Sequence, residues 1–90
     1  MKFEWDEAKD VANRAKHGVS LAEGALLDWA VGITQVDGRY SYGETRYRRL
    51  AALNGRVFAC IFTLRGARIR VISLRKANAR EIREHDERGI

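Results

Sequence analysis

Apolar and polar positions change their period several times along the chain, and each change marks an element. Phe3-Glu4-Trp5 alternates as a short strand does. Asp6 then stands as an N-cap before Glu7 to His17, a stretch free of Gly and Pro that Gly18 ends. The acidic start and the Lys16-His17 end suit the helix dipole. Ser20 with Glu23 forms a capping box that predicts a second helix, carrying Leu21, Ala25, Leu26, Leu27 and Trp29 and fading near Ala30. Gly32 to Val36 reads as a strand, and Asp37 to Gly43 as the longest loop. Arg46 to Leu53 and Arg56 to Leu64 are two strands joined by an Asn54-Gly55 hairpin turn. Arg65-Gly66 suggests a second tight turn before a strand over Ala67 to Leu74, and Asn78 with Glu81 opens a last helix from Ala79 to about Arg88. The pattern predicts an α+β fold with an antiparallel sheet of about four strands plus a short N-terminal strand. Two N-terminal helices pack on one sheet face, and a C-terminal helix follows.

Hairpin arithmetic sorts the side chains by face. With Asn54-Gly55 as a two-residue loop, paired residues add to 109, so Arg46 faces Thr63, Arg48 faces Ile61 and Glu44 faces Arg65. One face then carries Tyr47, Ala51, Leu53, Phe58, Cys60, Phe62, Leu64, Ile69 and Val71 and must cover the core, with Arg49 its exception. A two-residue Arg65-Gly66 turn places Thr63 opposite Arg68 and Ile61 opposite Arg70. Arg46, Arg48, Arg68 and Arg70 then gather around Thr63, with Leu50, Ala59, Ile72 and Leu74 at the other end of that face, under the last helix. A three-residue loop through Ala67 flips the last strand, bringing Ser73 and Arg75 to the Arg46 face and removing Arg68 and Arg70. The sequence leaves both registers open.

Charge sharpens this picture. The 90 residues hold 17 Lys and Arg against 12 Asp and Glu, a formal +5. Residues 1–38 carry a net −3 and residues 39–90 a net +8, so the cationic half is far stronger than the average suggests. Thirteen of the 17 cations are Arg, whose planar fork grips phosphate and stacks on bases. The partner implied is a polyanion; the plainer reading is a hydrated basic surface. Clustered guanidiniums repel one another and make sense around an anion.

The length fits one domain, residues 1–90, with a small core. The single Cys60, mid-strand on the apolar face, excludes a disulfide framework and a Cys-based zinc site and suits a reducing, cytoplasmic setting. No stretch is long and apolar enough to span a bilayer, and Met1 to Asp6 does not open a signal peptide. His17 and His85 show no metal-ligand spacing. Lys16 and His17 either complement a helix dipole or donate protons, and Glu44 is either a surface ion pair or a general base. Tyr40 and Tyr42, beside the basic strand, are candidates to stack on unpaired bases, whereas Tyr47 belongs to the core.

Phe3-x-Trp5-Asp6-x-x-Lys9-x-x-x-Asn13-x-x-Lys16-His17-Gly18-Val19-Ser20 resembles the N-terminal signature of the BrnT family, ribonuclease toxins of type II toxin–antitoxin pairs. The likeness continues through Asp37-x-Arg39, Gly43-Glu44-x-Arg46, Thr63-x-Arg65-Gly66-x-Arg68-Ile69-Arg70-x-Ile72-Ser73-x-Arg75-x-Ala77 and Glu81. Leu21 stands where the family often has Phe, Leu74 where it often has Ala, and a common Tyr of the last helix is replaced near His85. The resemblance implies a RelE-like microbial ribonuclease fold and cleavage of RNA without metal or cofactor. It also implies a hetero-oligomer with a BrnA-like ribbon-helix-helix antitoxin, through which alone the toxin meets operator DNA and co-represses its operon. On that footing Glu44 or Lys16 is the base, His17 or Lys16 the acid, and Arg46, Arg65 and Arg75 hold the phosphate. Arg48, Arg68 and Arg70 track the RNA backbone. The rival readings are a non-catalytic nucleic-acid-binding module and a protein-interaction domain with a basic face.

Overall fold

The computed structural model describes residues 1–38 and 43–88; Arg39, Tyr40 and Tyr42 of the expected loop lie outside them. The elements are β1 (Lys2–Glu4), α1 (Glu7–His17), a 3-10 helix (Leu21–Leu26), β2 (Ile33–Asp37), β3 (Arg46–Leu53), β4 (Arg56–Arg65), β5 (Arg68–Lys76) and α2 (Ala79–Arg88). Their order is the expected one.

The sheet has five strands in the order β1-β5-β4-β3-β2, and it is mixed rather than antiparallel. β1 joins β5 in parallel, Phe3 opposite Ile69, and the other pairs are antiparallel. The long excursion between β1 and β5 allows parallel pairing, which no tight turn permits.

β3 and β4 pair in the predicted register, from Arg46 opposite Thr63 to Leu53 opposite Arg56. Asn54 (φ 51°) and Gly55 (φ 76°) both take the left-handed conformation that this hairpin turn demands. The second hairpin differs from expectation. Arg65 pairs with Arg68, so the loop is Gly66-Ala67, and Thr63 lies opposite Arg70 rather than Arg68. The register then slips. Phe62 faces Val71, but Ile61 faces Ser73 rather than Arg70, leaving Ile72 as the extra residue of a bulge. A bulge restores to one face what a single register would divide. Arg68 and Arg70 precede it, Ser73 and Arg75 follow it, and all four share the face of Arg46 and Arg48. By the same slip Leu74 moves from the α2 side into the core, fully buried opposite Cys60.

The expected second α-helix is a six-residue 3-10 helix. Its capping box is present: the Ser20 side chain accepts from Ala22, and Glu23 accepts from the Ser20 amide. Gly24 explains the tighter winding and the early stop. A Cβ there would meet Val71 at 3.1 Å, and its carbonyl is taken by the Trp29 indole at 2.9 Å. The segment is drawn tightly onto β5.

α1 is fixed by buried polar side chains. Asp10 accepts from the Leu21 amide (2.7 Å) and the Ser20 hydroxyl (2.9 Å). Asn13 sits at the edge of β5 beyond the end of β1 and pairs with it as a strand would. Its Nδ2 donates to the Leu74 carbonyl (2.8 Å), and its Oδ1 accepts from the Leu74 amide (3.1 Å). Nδ2 also reaches the Val19 carbonyl (3.0 Å). Asn13→Ala leaves a buried amide and carbonyl unmatched and is expected to destabilise the fold by about 2–3 kcal/mol. Thermal unfolding by circular dichroism measures it, and a change below about 0.5 kcal/mol refutes the bridging role.

α1 and the 3-10 helix cover the core face at β5, where Leu21 of the 3-10 helix joins Phe58, Cys60, Phe62, Val71 and Leu74 in the core. α2 packs on the opposite face against β3 and β4, where Leu50 and Ala59 are buried. No helix among the described residues is long and apolar enough to cross a membrane.

Candidate active site

The face shared by the arginines splits into two ends. At the β4–β5 turn, Glu44 lies between two guanidiniums, Arg46 at 3.4 Å and Arg65 at 3.5 Å. Across the sheet Glu4 serves Arg70 (2.8 Å) and Arg68 (3.3 Å) in the same way. Those two hydrogen bonds hold the Glu4 carboxyl below its usual range. Asp37 pairs with Arg46 across β2, and Lys2 pairs with Arg68 across β1. Among the described residues, five basic side chains and three carboxylates therefore share this end, which keeps a positive surplus. Thr63 at its centre is buried and donates its hydroxyl to the Thr45 carbonyl at 2.6 Å, so it is the surrounding basic side chains that can meet an anion. A groove of about 450 Å³ lined by Asp37, Glu44, Thr45 and Arg46 opens here.

The other end is neutralised from within. Glu81, 2 % exposed, takes Arg75 through both terminal nitrogens (2.7 and 3.0 Å) and Arg48 at 3.0 Å. The second terminal nitrogen of Arg48 is spent on Gln35 (2.7 Å) and Glu84 (2.9 Å). Burial alone would raise the Glu81 carboxyl. The Arg75 hydrogen bonds, the Asn78 amide, the Arg75 charge and Arg48 outweigh it and bring the pKa to about 2. A cleft of about 380 Å³ between Gln35, Arg48, Arg75, Arg80 and Glu81 flanks the start of α2.

Lys16 and His17 end α1 on the Arg75 side. Burial, then the charges of Lys16 and Arg75, lower the pKa of His17 and favour its neutral ring. Arg68 and Arg75 stand seven residues apart on β5, roughly 20 Å at the rise of a strand. The six predicted arginines thus share one sheet face without converging on one point, and Lys16 and His17 approach it from the end of α1. Glu44, Arg46, Arg65, Arg68 and Arg70 gather at one end. Arg48, Arg75 and His17 gather at the other, with Lys16 exposed beside them.

Cys60 is fully buried, and burial pushes its thiol up to about 12, which makes it inert. Arg49 lies on the core side, over Trp29 at 4.9 Å, bonded to Thr34 and to the carbonyls of Asp28 and Val31. It staples the segment after the 3-10 helix to the sheet. No three His, Cys, Asp or Glu among the described residues are placed to hold a metal ion.

A family model described as the ribonuclease toxin BrnT of type II toxin-antitoxin systems matches residues 5–81. The chain belongs to the BrnT family. All nine candidate side chains fall inside the matched span, which ends on Glu81, while Glu4 lies just outside it. No curated protein matches the chain. As a BrnT toxin it is one half of a type II pair, and the activity it brings is that of a ribonuclease. Two carboxylates in this BrnT chain escape a reading of the sequence as site residues. Glu4 depends on the parallel β1–β5 pairing, which leaves no local signal. Glu81 is visible as a capping-box residue, but its second use by Arg48 and Arg75 is tertiary.

Proposed function

We propose that this BrnT chain is an endoribonuclease of RelE-like fold that cuts RNA without metal, and that the cut occurs at the Glu44 end of the arginine face. The observation that carries the reading is Glu44 held between Arg46 and Arg65, a base flanked by two phosphate ligands on the cationic end of the sheet. Glu44 takes the proton of an RNA 2′-hydroxyl as its oxygen attacks the adjacent phosphorus. Arg46 and Arg65 neutralise the charge that develops on the phosphorane, and the bond to the 5′-oxygen breaks as that oxygen gains a proton from water. The products are a 2′,3′-cyclic phosphate and a 5′-hydroxyl. Arg68 and Arg70 follow the backbone on one side. Lys16, His17 and Arg75 meet it farther along. In the cell we place the toxin in the cytoplasm, where it halts translation and growth. A BrnA-like ribbon-helix-helix antitoxin neutralises it, and the pair represses its own operon.

Incubation of the purified chain with naked RNA, with and without EDTA, tests the reading. Cleavage that persists in chelator and leaves cyclic phosphate ends is expected. Abolition by EDTA refutes the metal-free mechanism. Binding that falls steeply with salt, without products, would make the chain a nucleic-acid-binding module instead.

A further inference from the structure

The N-terminal helices leave part of their sheet face bare. α1 and the 3-10 helix lie chiefly against β5 and β1, so the same apolar face runs on over β4, β3 and β2, where Trp29 lies against Phe62. There Leu64 is 55 % exposed and Val36 66 % exposed, although both point to the core side of the sheet. A depression of about 310 Å³ lies between Trp29, Thr34, Tyr47, Phe62, Leu64 and Ile69, and Tyr47 stacks on Phe62 to form its floor. An exposed apolar patch of this kind on a small soluble domain marks an interaction site.

Its rim says what the occupant carries. Leu64 adjoins Arg65, and Ile69 adjoins Arg68, at the β4–β5 turn. These two guanidiniums are more than half exposed, and each shares its carboxylate with a second arginine. A ligand that lies on Leu64 and passes over the turn meets this half-compensated positive charge at once. A second copy of a chain of net +5 would bring like charge to that rim.

We propose that this face docks the antitoxin, through an amphipathic segment that sets apolar side chains on Tyr47 and Leu64 and acidic side chains against Arg65 and Arg68. The proposal rests on the toxin reading and adds a means of inhibition. The partner's carboxylates occupy the guanidiniums that RNA phosphate needs, while the apolar contacts on the opposite face supply affinity without touching the cleavage site.

The test is calorimetric titration of the purified toxin with the purified antitoxin encoded beside it, using wild type and Leu64→Glu. The variant is expected to bind at least about 30-fold more weakly, the scale of a lost interface anchor. It should cut naked RNA within twofold of wild type. Wild-type affinity is expected to fall at least tenfold between about 0.1 and 0.5 M NaCl. Val36→Glu, on β2 at the far side of β3 on the same face, decides the matter if Leu64→Glu does not fold. Binding within threefold of wild type by the folded variant overturns the proposal, as does salt-independent affinity. A wild-type chain that sediments alone as a dimer, split by Leu64→Glu, also overturns it by giving the face to a second copy. A wild-type chain that cuts no RNA refutes the ribonuclease reading, while the titration still decides the docking face.

Discussion

Replacing Arg46 by Ala is expected to slow RNA cleavage about 10²–10³-fold, the loss seen when one donor to a developing oxyanion is removed. Glu44→Gln should cost about 10²–10⁴-fold, the worth of a general base. The two losses arise at one phosphate and are therefore expected not to add in the double variant. Neither change should move the unfolding temperature by more than a few degrees, because both side chains lie at the partly exposed end of the sheet. His17→Ala supplies the contrast. Its neutral ring beside Arg75 is a chemically sound base, but it stands at the other end of the face, where the arginine forks are filled by Glu81, Glu84 and Gln35. Initial rates on a short RNA rank the three variants. His17→Ala as damaging as Glu44→Gln, or Arg46→Ala at full rate, sinks the assignment of the cut to the Glu44 end.

Local chemistry made most of the elements legible. Asn54-Gly55 determined a turn type, the turn determined a register, and the register placed Arg46 opposite Thr63 without any tertiary information. The same logic stopped at Gly66. The loop is one residue later than expected, and the bulge at Ile72 answers to no residue type in the sequence. It is a compromise between the Arg65–Arg68 turn and the need to bury Leu74 opposite Cys60. That compromise is what lets Arg70 and Arg75 share a face. The charge of residues 39–90 was equally legible, but its neutralisation was not. Glu4 reaches Arg70 through a pairing 66 residues apart in sequence, and Glu81 reaches Arg48 from 33 residues away. A linear charge count sees cations, whereas the fold sees which of them are already satisfied. The capping box of the short 3-10 helix is legible in Ser20 and Glu23, but the proximity of Val71 to Gly24, which overrides helical continuation, is tertiary.

Glu81→Gln tests that distinction between spent and available arginines, and its effect falls on stability. The Glu81 carboxyl drops from an ordinary 4.5 to about 2 on folding. A depressed acid stabilises the fold above its unfolded pKa, and that contribution is lost as pH falls through 4.5 toward 2. A shift of this size corresponds to about 3 kcal/mol at neutral pH. The variant also leaves Arg48 and Arg75 short of their buried acceptor, which points the same way. For a domain of this size the unfolding temperature at pH 7 is expected to drop by about 12–24 °C. Glu4 and Asp10 also have lowered pKa values, so the wild type alone would blend several acid transitions. The difference between wild type and Glu81→Gln isolates the one in question. That gap should be full above about pH 5, narrow between pH 4.5 and 2.5, and close near pH 2. Below its melting point the folded variant should still cut RNA within about fivefold of wild type, since Arg46, Arg65 and Glu44 are untouched. A gap that does not change with pH would show that Glu81 acts through packing rather than charge. Cleavage lost in the folded variant would move the reactive phosphate to the Arg48–Arg75 end.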